Sequence, residues 1–439
     1  MSQRVLPTQL PKGAKLYLPD ETALKRFVEE RLRSVFRQWG YREVVPPTYE
    51  YFDVLSLGTD EGLQERMFKL VDRETGRMLA LRADVTPQIA RIVATRLRET
   101  PKPLRLCYLS NVFRDEDPQV GRYREFYQAG VELVGLEKPE ADAEMIAMSV
   151  EGFRALGLGQ FQIDVGQPEF FRGILEQLGT DQETGRALRE VLSRKDTSSL
   201  ERIVRELSPP RATAELLLAL PDLFGREEVL ERARSLVKNP RSDRALANLS
   251  EVYRLLRAYG LEEAVILNLG EIRGFDYYSG VNFEAYVAGL GAAISGGGRY
   301  DQMLARFGYP CPATGFAFDV GRTMLAMEAQ KVPVPIPGPD FFIIDFTADK
   351  TVALALSRRF RDLGAAVARD IITRGLEESI AYARAERARW ALVVGSPGNG
   401  SDELLALDLE SGGERTLSVA ALLDRPEAHF PVFRGGARA

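Results

Sequence analysis

Residues 332–339 read Val332-Pro333-Val334-Pro335-Ile336-Pro337-Gly338-Pro339. Proline at alternate positions removes the amide donors that a helix interior or an inner strand requires, so this stretch is an extended connector. It forces the 439-residue chain to build two separate cores, over residues 1–330 and 340–425, joined by a linker at 331–339 and followed by a tail at 426–439. In the first part, Leu24, Phe27, Val28, Leu32, Val35 and Phe36 recur at three-four spacing and predict an amphipathic helix over 22–39, closed by Gly40. Strand character follows at Val44-Val45, Met78–Leu81, Leu104–Leu109 and Gln128–Val134. A stretch rich in Leu, Arg and Glu over about 168–260 reads as a helical insertion. Strands return at Ala264–Leu267 and Val281–Val287, and Ser295-Gly296-Gly297-Gly298 reads as a loop. The second part alternates: strand at Phe341–Ile344, helix at Ala353–Leu363, strand at Ala365–Val367, helix at Leu376–Ala388, strand at Trp390–Val394. The fold class is mixed α/β (α+β), an antiparallel sheet core with a helical insertion plus a small C-terminal α/β domain.

Several functions are excluded by what the chain lacks. His429 is its single histidine and lies in the tail, which rules out a histidine-based triad or a multi-histidine metal site. Cys107 and Cys311 lack ligand spacing and sit among apolar neighbours, as buried small residues do. No run of eighteen apolar residues occurs and Met1-Ser2-Gln3-Arg4 opens no apolar signal, so neither a membrane span nor export is expected and the cytoplasm is the default. A formal net charge of −5 gives no general electrostatic attraction to nucleic acid.

Four segments place polar groups where packing alone has little use for them. Leu81-Arg82-Ala83-Asp84-Val85-Thr86 ends a strand in a carboxylate and a hydroxyl, suitable acceptors for an ammonium, although a helix cap would look the same. Phe113 to Glu132 reads as two antiparallel strands joined by a basic loop, with Gln128, Gly130 and Glu132 on one face at the two-residue period and Arg114 aimed there from the neighbouring strand. Ile272 to Gly280 offers Arg273 as a carboxylate clamp beside the aromatic wall of Tyr277 and Tyr278. Gly296-Gly297-Gly298-Arg299-Tyr300-Asp301 lets backbone approach a ligand closely, and the lysine of a phosphate-binding loop is absent.

These segments carry a family resemblance. Phe113-Arg114-Asp115-Glu116 is similar to motif 2 of class II aminoacyl-tRNA synthetases, Pro47 stands where motif 1 has its proline, and Gly315 to Arg322 resembles motif 3. Arg273-Gly274-Phe275-Asp276-Tyr277-Tyr278 and Gly297-Gly298-Arg299-Tyr300-Asp301 resemble the histidine-specific signatures of histidyl-tRNA synthetases, so the resemblance spans about residues 10–325. It implies a class II synthetase-like core and a C-terminal domain resembling an anticodon-binding domain. It also implies a histidine pocket: Asp84, Thr86 and Gln128 for the α-ammonium, Glu132 and Tyr278 for the imidazole, Arg114 and Arg273 near the carboxylate, Tyr277 in the wall. Glu116 and Arg322 fall on the ATP side.

Departures from that family point to a paralogue. Gln64-Glu65-Arg66-Met67-Phe68 replaces a Lys-Glu-Met-Tyr segment, Phe126-Tyr127-Gln128 replaces Phe-His-Gln, Asp164-Val165-Gly166-Gln167 replaces Asn-Ser-Leu-Gly, and Gly321 stands where motif 3 has a glutamate. Arg82 to Ala94, Arg124 to Gly135 and the Ser193-Arg194-Lys195-Asp196 region resemble instead the regulatory subunits of ATP phosphoribosyltransferase. That resemblance implies a chain with no catalytic residues, cofactor or metal. Its partners would be L-histidine and a short-form ATP phosphoribosyltransferase catalytic subunit, with a homodimer formed through the motif 1 region inside a hetero-oligomer. Transfer RNA is not expected as a partner, because residues 340–439 hold 13 Lys/Arg against 15 Asp/Glu. The alternative, a histidyl-tRNA synthetase, rests on Arg114, Glu116, Arg273 and Arg322 all being present.

Overall fold

The computed structural model describes residues 8–117, 123–270, 272, 277–372, 374–396, 400 and 402–433. The chain divides into two compact units, Met1–Val334 and Pro335–Ala439.

The first unit opens on α1 (Pro19–Gln38), with proline in its first turn, Asp20 and Glu21 beside the amide-rich end, and the Glu21 carboxylate accepting from the Leu18 amide at 3.2 Å. Its inner stripe, including Val28, Leu32 and Phe36, is fully buried. Gly40 then takes a left-handed φ of 81° and turns the chain. There follow β1 (Arg42–Glu43), β2 (Tyr49–Tyr51), α2 (Phe52–Ser56), α3 (Glu61–Glu65), β3 (Lys69–Val71), β4 (Met78–Leu81) and α4 (Thr86–Arg96). The strand expected at Val44-Val45 lies two residues earlier. The Val44 amide still pairs with Cys107 O at 2.8 Å, but Pro46 and Pro47 end the ladder and leave Val45 exposed.

The long hairpin β5 (Leu104–Phe113) and β6 (Glu125–Val134) leads into α5 (Pro139–Ala155) and β7 (Phe161–Gly166). A helical run comes next: α6 (Pro168–Leu178), α7 (Gln182–Ser193), α8 (Thr197–Leu207), α9 (Arg211–Ala219), the short β8 (Phe224–Gly225), α10 (Glu227–Leu236) and α11 (Pro240–Ala258). The sheet resumes with β9 (Val265–Asn268), β10 (Asn282–Val287) and β11 (Ser295–Arg299), then α12 (Met303–Arg306), β12 (Ala313–Asp319) and α13 (Val320–Ala329).

Nine strands make one sheet in the order β1-β5-β6-β12-β11-β10-β7-β9-β8. Its centre, β5 through β7, is antiparallel throughout. One face is apolar: Val131 and Leu133 of β6, Phe283 of β10, and Phe316 and Phe318 of β12 share a core with α1, α5 and α13. Each large side chain buried there stabilises the fold by about 1.5–3 kcal/mol. The register puts the alternate residues on the opposite face, with Glu132 across from Gly315, Gln128 across from Asp319, and Gly296 across from both Ala317 and Glu284.

The expected loop at Ser295–Gly298 is a central strand, β11, and this is a correction with a physical cause. A Cβ on Gly297 would stand 2.1 Å from Gly315 O, and one on Gly298 would stand 2.7 Å from Val281 O. Glycine is here because the neighbouring strands press on the backbone, which removes the β-branched signal by which strands are recognised.

The second unit is a five-stranded sheet built from β13 (Phe341–Asp345), α14 (Thr351–Asp362), β14 (Val367–Arg369), α15 (Leu376–Ala385), β15 (Trp390–Val394), β16 (Glu403–Asp408), β17 (Glu414–Ser418) and α16 (Val419–Asp424). The order is β14-β13-β15-β16-β17, parallel across the first three and antiparallel after that. Phe341 and Ile343 pack with Leu356, Phe360 and Leu422 on one face, and Phe342 and Ile344 with Ala383 on the other. The strand expected at Ala365–Val367 starts at Val367, because Ala365 still closes the helix by bonding Phe360 O at 3.0 Å. The helix expected to reach Ala388 stops at Ala385, where Arg387 turns left-handed at φ 58° and Ala388 N bonds back to Ala383 O.

Candidate functional site

The polar face of the large sheet carries almost no side chains at its centre. Gly130 of β6, Gly296 of β11, and Gly315 and Ala317 of β12 form a floor of backbone. A Cβ on Gly315 would lie 1.8 Å from Glu132 Oε2, and one on Gly130 would lie 2.5 Å from the Tyr108 hydroxyl. The space this leaves is a cavity of about 290 Å³. That is near the lower limit of ligand cavities, ~300–1,000 Å³, and suits a molecule of amino-acid size.

Its walls bring together most of the residues picked out from sequence. Asp84, Thr86, Arg114, Gln128, Tyr277, Tyr278 and Arg322 all line the cavity. Asp84 and Thr86 come from the junction of β4 and α4. There the Asp84 carboxylate accepts from the Val85 amide at 2.7 Å. Burial raises its pKa, with Arg114 the largest opposing influence. Gln128 Oε1 is buried with no hydrogen-bond partner among the described residues, an acceptor available to a ligand donor. Arg114 donates through Nε to Ala83 O at 2.9 Å and lies against the ring of Phe126.

Glu132 sits beneath the cavity, 1% exposed. Its carboxyl accepts from the Thr86 hydroxyl at 2.7 Å and from the Tyr300 hydroxyl. Burial pushes its pKa up to about 8, although both hydroxyls favour the charged form. Tyr277 and Tyr278 stand edge to face with centroids 5.0 Å apart, and Tyr277 reaches the Tyr300 ring at 5.9 Å. The arrangement sets acceptors (Asp84, Thr86, Gln128) and the basic Arg114 around the cavity, over a buried acid and beside an aromatic wall.

Arg322 also lines the cavity. It donates to Ala293 O at 2.8 Å and pairs with Asp319 at 3.3 Å, while Asp319 caps α13 and has its own pKa raised by burial. Glu116 is not part of the cavity: it pairs with Arg66 at 2.6 Å. Arg273 lies outside the described residues. Sequence reasoning missed Tyr300, Tyr108, Phe126, Glu284 and Asp319 as cavity residues. Tyr300 stands in a glycine-rich signature that had already been singled out, and only the strand register shows that it reaches Glu132. Arg82 and Arg299, which share those signatures, are structural. Arg82 bonds Asn111 O at 2.6 Å and Pro46 O at 2.9 Å, and Arg299 grips Asp142 at 2.9 and 3.1 Å with both side chains buried. Among the described residues no group of His, Cys, Asp and Glu side chains is arranged to hold a metal ion.

Comparison with known proteins places this chain in a family. The histidyl-tRNA synthetase family model matches residues 13–323. The ATP phosphoribosyltransferase regulatory subunit of Syntrophotalea carbinolica is 42% identical across 94% of this chain and 96% of its own length. That of Geobacter sulfurreducens is 40% identical across 95% of both. The chain belongs to the ATP phosphoribosyltransferase regulatory subunit family, built on the histidyl-tRNA synthetase fold. A solved structure described as an ATP phosphoribosyltransferase regulatory subunit/histidyl-tRNA synthetase from Bacillus halodurans superposes with a TM-score of 0.77 at 30% identity, covering 86% of this chain and 97% of that one. Histidyl-tRNA synthetase from Nostoc superposes at 0.81 with 20% identity, covering 97% and 100%, which shows the shared fold. No described helix is long and apolar enough to cross a membrane.

Proposed function

We propose that this regulatory subunit senses L-histidine in the cavity above Glu132 and thereby sets the activity of a short-form ATP phosphoribosyltransferase catalytic subunit at the first step of histidine biosynthesis, contributing no catalytic group itself. One observation carries the reading. The cavity offers an unpaired acceptor, Gln128 Oε1, and the Asp84 carboxylate in its lining, with the buried Glu132 carboxyl beneath it and tyrosines in its wall. Such a site suits a zwitterion whose side chain carries a proton-bearing nitrogen, which is the chemistry of histidine. The ammonium would meet Asp84, Thr86 and Gln128, the carboxylate would meet Arg114, and the imidazole would be read by Glu132 and Tyr278.

Regulation then follows from linkage. Histidine bound more tightly in one quaternary state shifts the complex to that state by no more than its differential affinity. Assembly as a homodimer within a hetero-oligomer, in the cytoplasm, completes the proposal.

Arg114 and Arg322 favour one competing reading, a chain that still activates histidine with ATP, since both line the cavity. Against it stand Glu116, turned to Arg66, and the acidic balance of residues 340–439. The deciding experiment pairs a calorimetric histidine titration with an assay of tRNA charging. Binding without charging supports the sensor; sustained charging replaces it with the synthetase.

A further inference from the structure

The rear of the tyrosine wall is tied to the helical insertion. Arg172, one turn into α6, donates through Nη2 to the backbone carbonyl of Tyr278 at 2.8 Å. Its Nη1 pairs with Glu169, whose other oxygen accepts from Arg241 Nε of α11 at 2.7 Å. Arg241 also pairs with Glu176. A continuous polar chain therefore runs from the wall of the histidine cavity through α6 into α11.

The two helices cannot respond separately. A Cβ on Gly173 would fall within 2.4 Å of Asn239 Oδ1 and 2.3 Å of Ser242 Oγ, and Ser242 Oγ donates to Phe170 O at 2.7 Å. They are locked into one body. The wall itself has open space on both sides: the histidine cavity in front, and behind it a second cavity of about 690 Å³ bordered by Arg172, Arg241, Tyr277, Tyr278 and Arg306. Downstream the wall is pinned by the Ser279 amide on Arg299 O at 2.7 Å. Arg172 reaches the wall from the insertion through its bond to Tyr278 O.

We propose that Arg172 is a positioning residue that couples the ligand cavity to the helical insertion: its fork holds the Tyr278 carbonyl, so that ligand in front of Tyr278 steadies α6 and α11, and displacement of those helices weakens the ligand. This rests on histidine being the ligand of the cavity. The fork matters because guanidinium can serve the carbonyl and Glu169 together through two nitrogens in fixed geometry, whereas a lysine ammonium at the end of a flexible stem has to divide itself between them.

The test uses the full-length wild type, Arg172→Met and Arg172→Lys, with histidine as the probe. Calorimetry gives affinity, and hydrogen–deuterium exchange with and without saturating histidine reports on residues 168–178, 240–258 and the β5–β6 hairpin. In the wild type, histidine slows exchange in all three. In Arg172→Met, affinity falls about tenfold. At saturation the hairpin is still protected and the two helices are not. Arg172→Lys retains a cation beside Glu169 to hold the fold, and it too loses the protection of α6 and α11. A residue that served only local stability would move baseline exchange and leave the histidine-dependent difference intact. Wild-type affinity in both variants, or unchanged histidine-dependent protection of α6, overturns the coupling. Absence of histidine binding in the wild type overturns the cavity assignment and the coupling with it, and the wild-type titration alone reveals that failure.

Discussion

Glu132→Gln is the perturbation whose consequences the structure determines most fully. The carboxyl is buried, accepts from Thr86 and Tyr300, and has its pKa raised from 4.5 to about 8. A group whose folded pKa exceeds its unfolded one contributes stability below the unfolded value and loses it as pH rises through the folded value. Between pH 4.5 and about 8 the empty protein is therefore destabilised progressively by this group. Holding the pKa near 8 costs ~5 kcal/mol once the group is forced to ionise. Glutamine fills the same space without that cost, but its amide must turn NH₂ toward one of the two hydroxyls, and it cannot share a proton with imidazole. The variant should therefore gain stability relative to wild type on going from pH ~5.5 to ~8.5, by ~3 kcal/mol of differential effect. It should bind histidine ~1–3 kcal/mol more weakly. Wild-type affinity should itself peak between the imidazole pKa near ~6.5 and the Glu132 value of about 8, where one proton is shared in the complex, and the alkaline limb should vanish in Glu132→Gln. Denaturant unfolding at the two pH values and calorimetric titration across them provide the data. A histidine affinity unchanged by the substitution, or a wild-type stability difference between the two pH values that the variant shares, would refute the reasoning.

Three further outcomes follow from neighbouring residues. Asp84→Asn removes an acceptor charge from the cavity lining and should weaken histidine by ~1–3 kcal/mol without lowering the melting temperature, because burial already opposes its ionisation; calorimetry and thermal unfolding separate the two. Arg299→Met leaves Asp142 buried without its partner and should cost ~3–5 kcal/mol, measured by denaturant titration; a loss below about 1 kcal/mol would show the pair to be dispensable. Gly315→Ala drives a methyl to within 1.8 Å of Glu132 Oε2 and 2.5 Å of Val131 O; it should abolish histidine binding and lower stability by at least ~3 kcal/mol, and a well-folded variant that binds normally would mean that the β6–β12 register is wrong.

The parts of the fold visible in sequence are those where chemistry is local. The alternating prolines of 333–339 divide the chain by themselves, and Leu24 to Phe36 display the buried stripe of α1 because helical period and burial coincide. The β5–β6 hairpin was legible from alternation, and with it the common face of Gln128 and Glu132. What failed was non-local. Ser295–Gly298 looks like a loop until β12 and β10 are in place on either side, since only their backbones explain the glycines. Tyr300 and Tyr108 reach Glu132 and Gly130 through strand register and packing that no spacing along the chain reveals. Signature residues also divide in a way composition cannot disclose: Asp84 lines the cavity, whereas Arg82, two positions away, braces Pro46 and Asn111. Glu116 kept its identity and its motif yet faces Arg66, because a charged side chain takes the nearest partner the loop supplies.

The most direct test of the central claim is the histidine inhibition curve of a reconstituted complex between this chain and a short-form ATP phosphoribosyltransferase catalytic subunit, recorded with wild-type protein and with Glu132→Gln. The wild type should raise phosphoribosyl transfer to ATP, and histidine should suppress it. The variant should assemble equally well, as judged by size-exclusion chromatography, and shift the half-inhibiting histidine concentration upward by ~5–150-fold. Identical inhibition curves for the two complexes would contradict the central claim and place the feedback site away from this cavity.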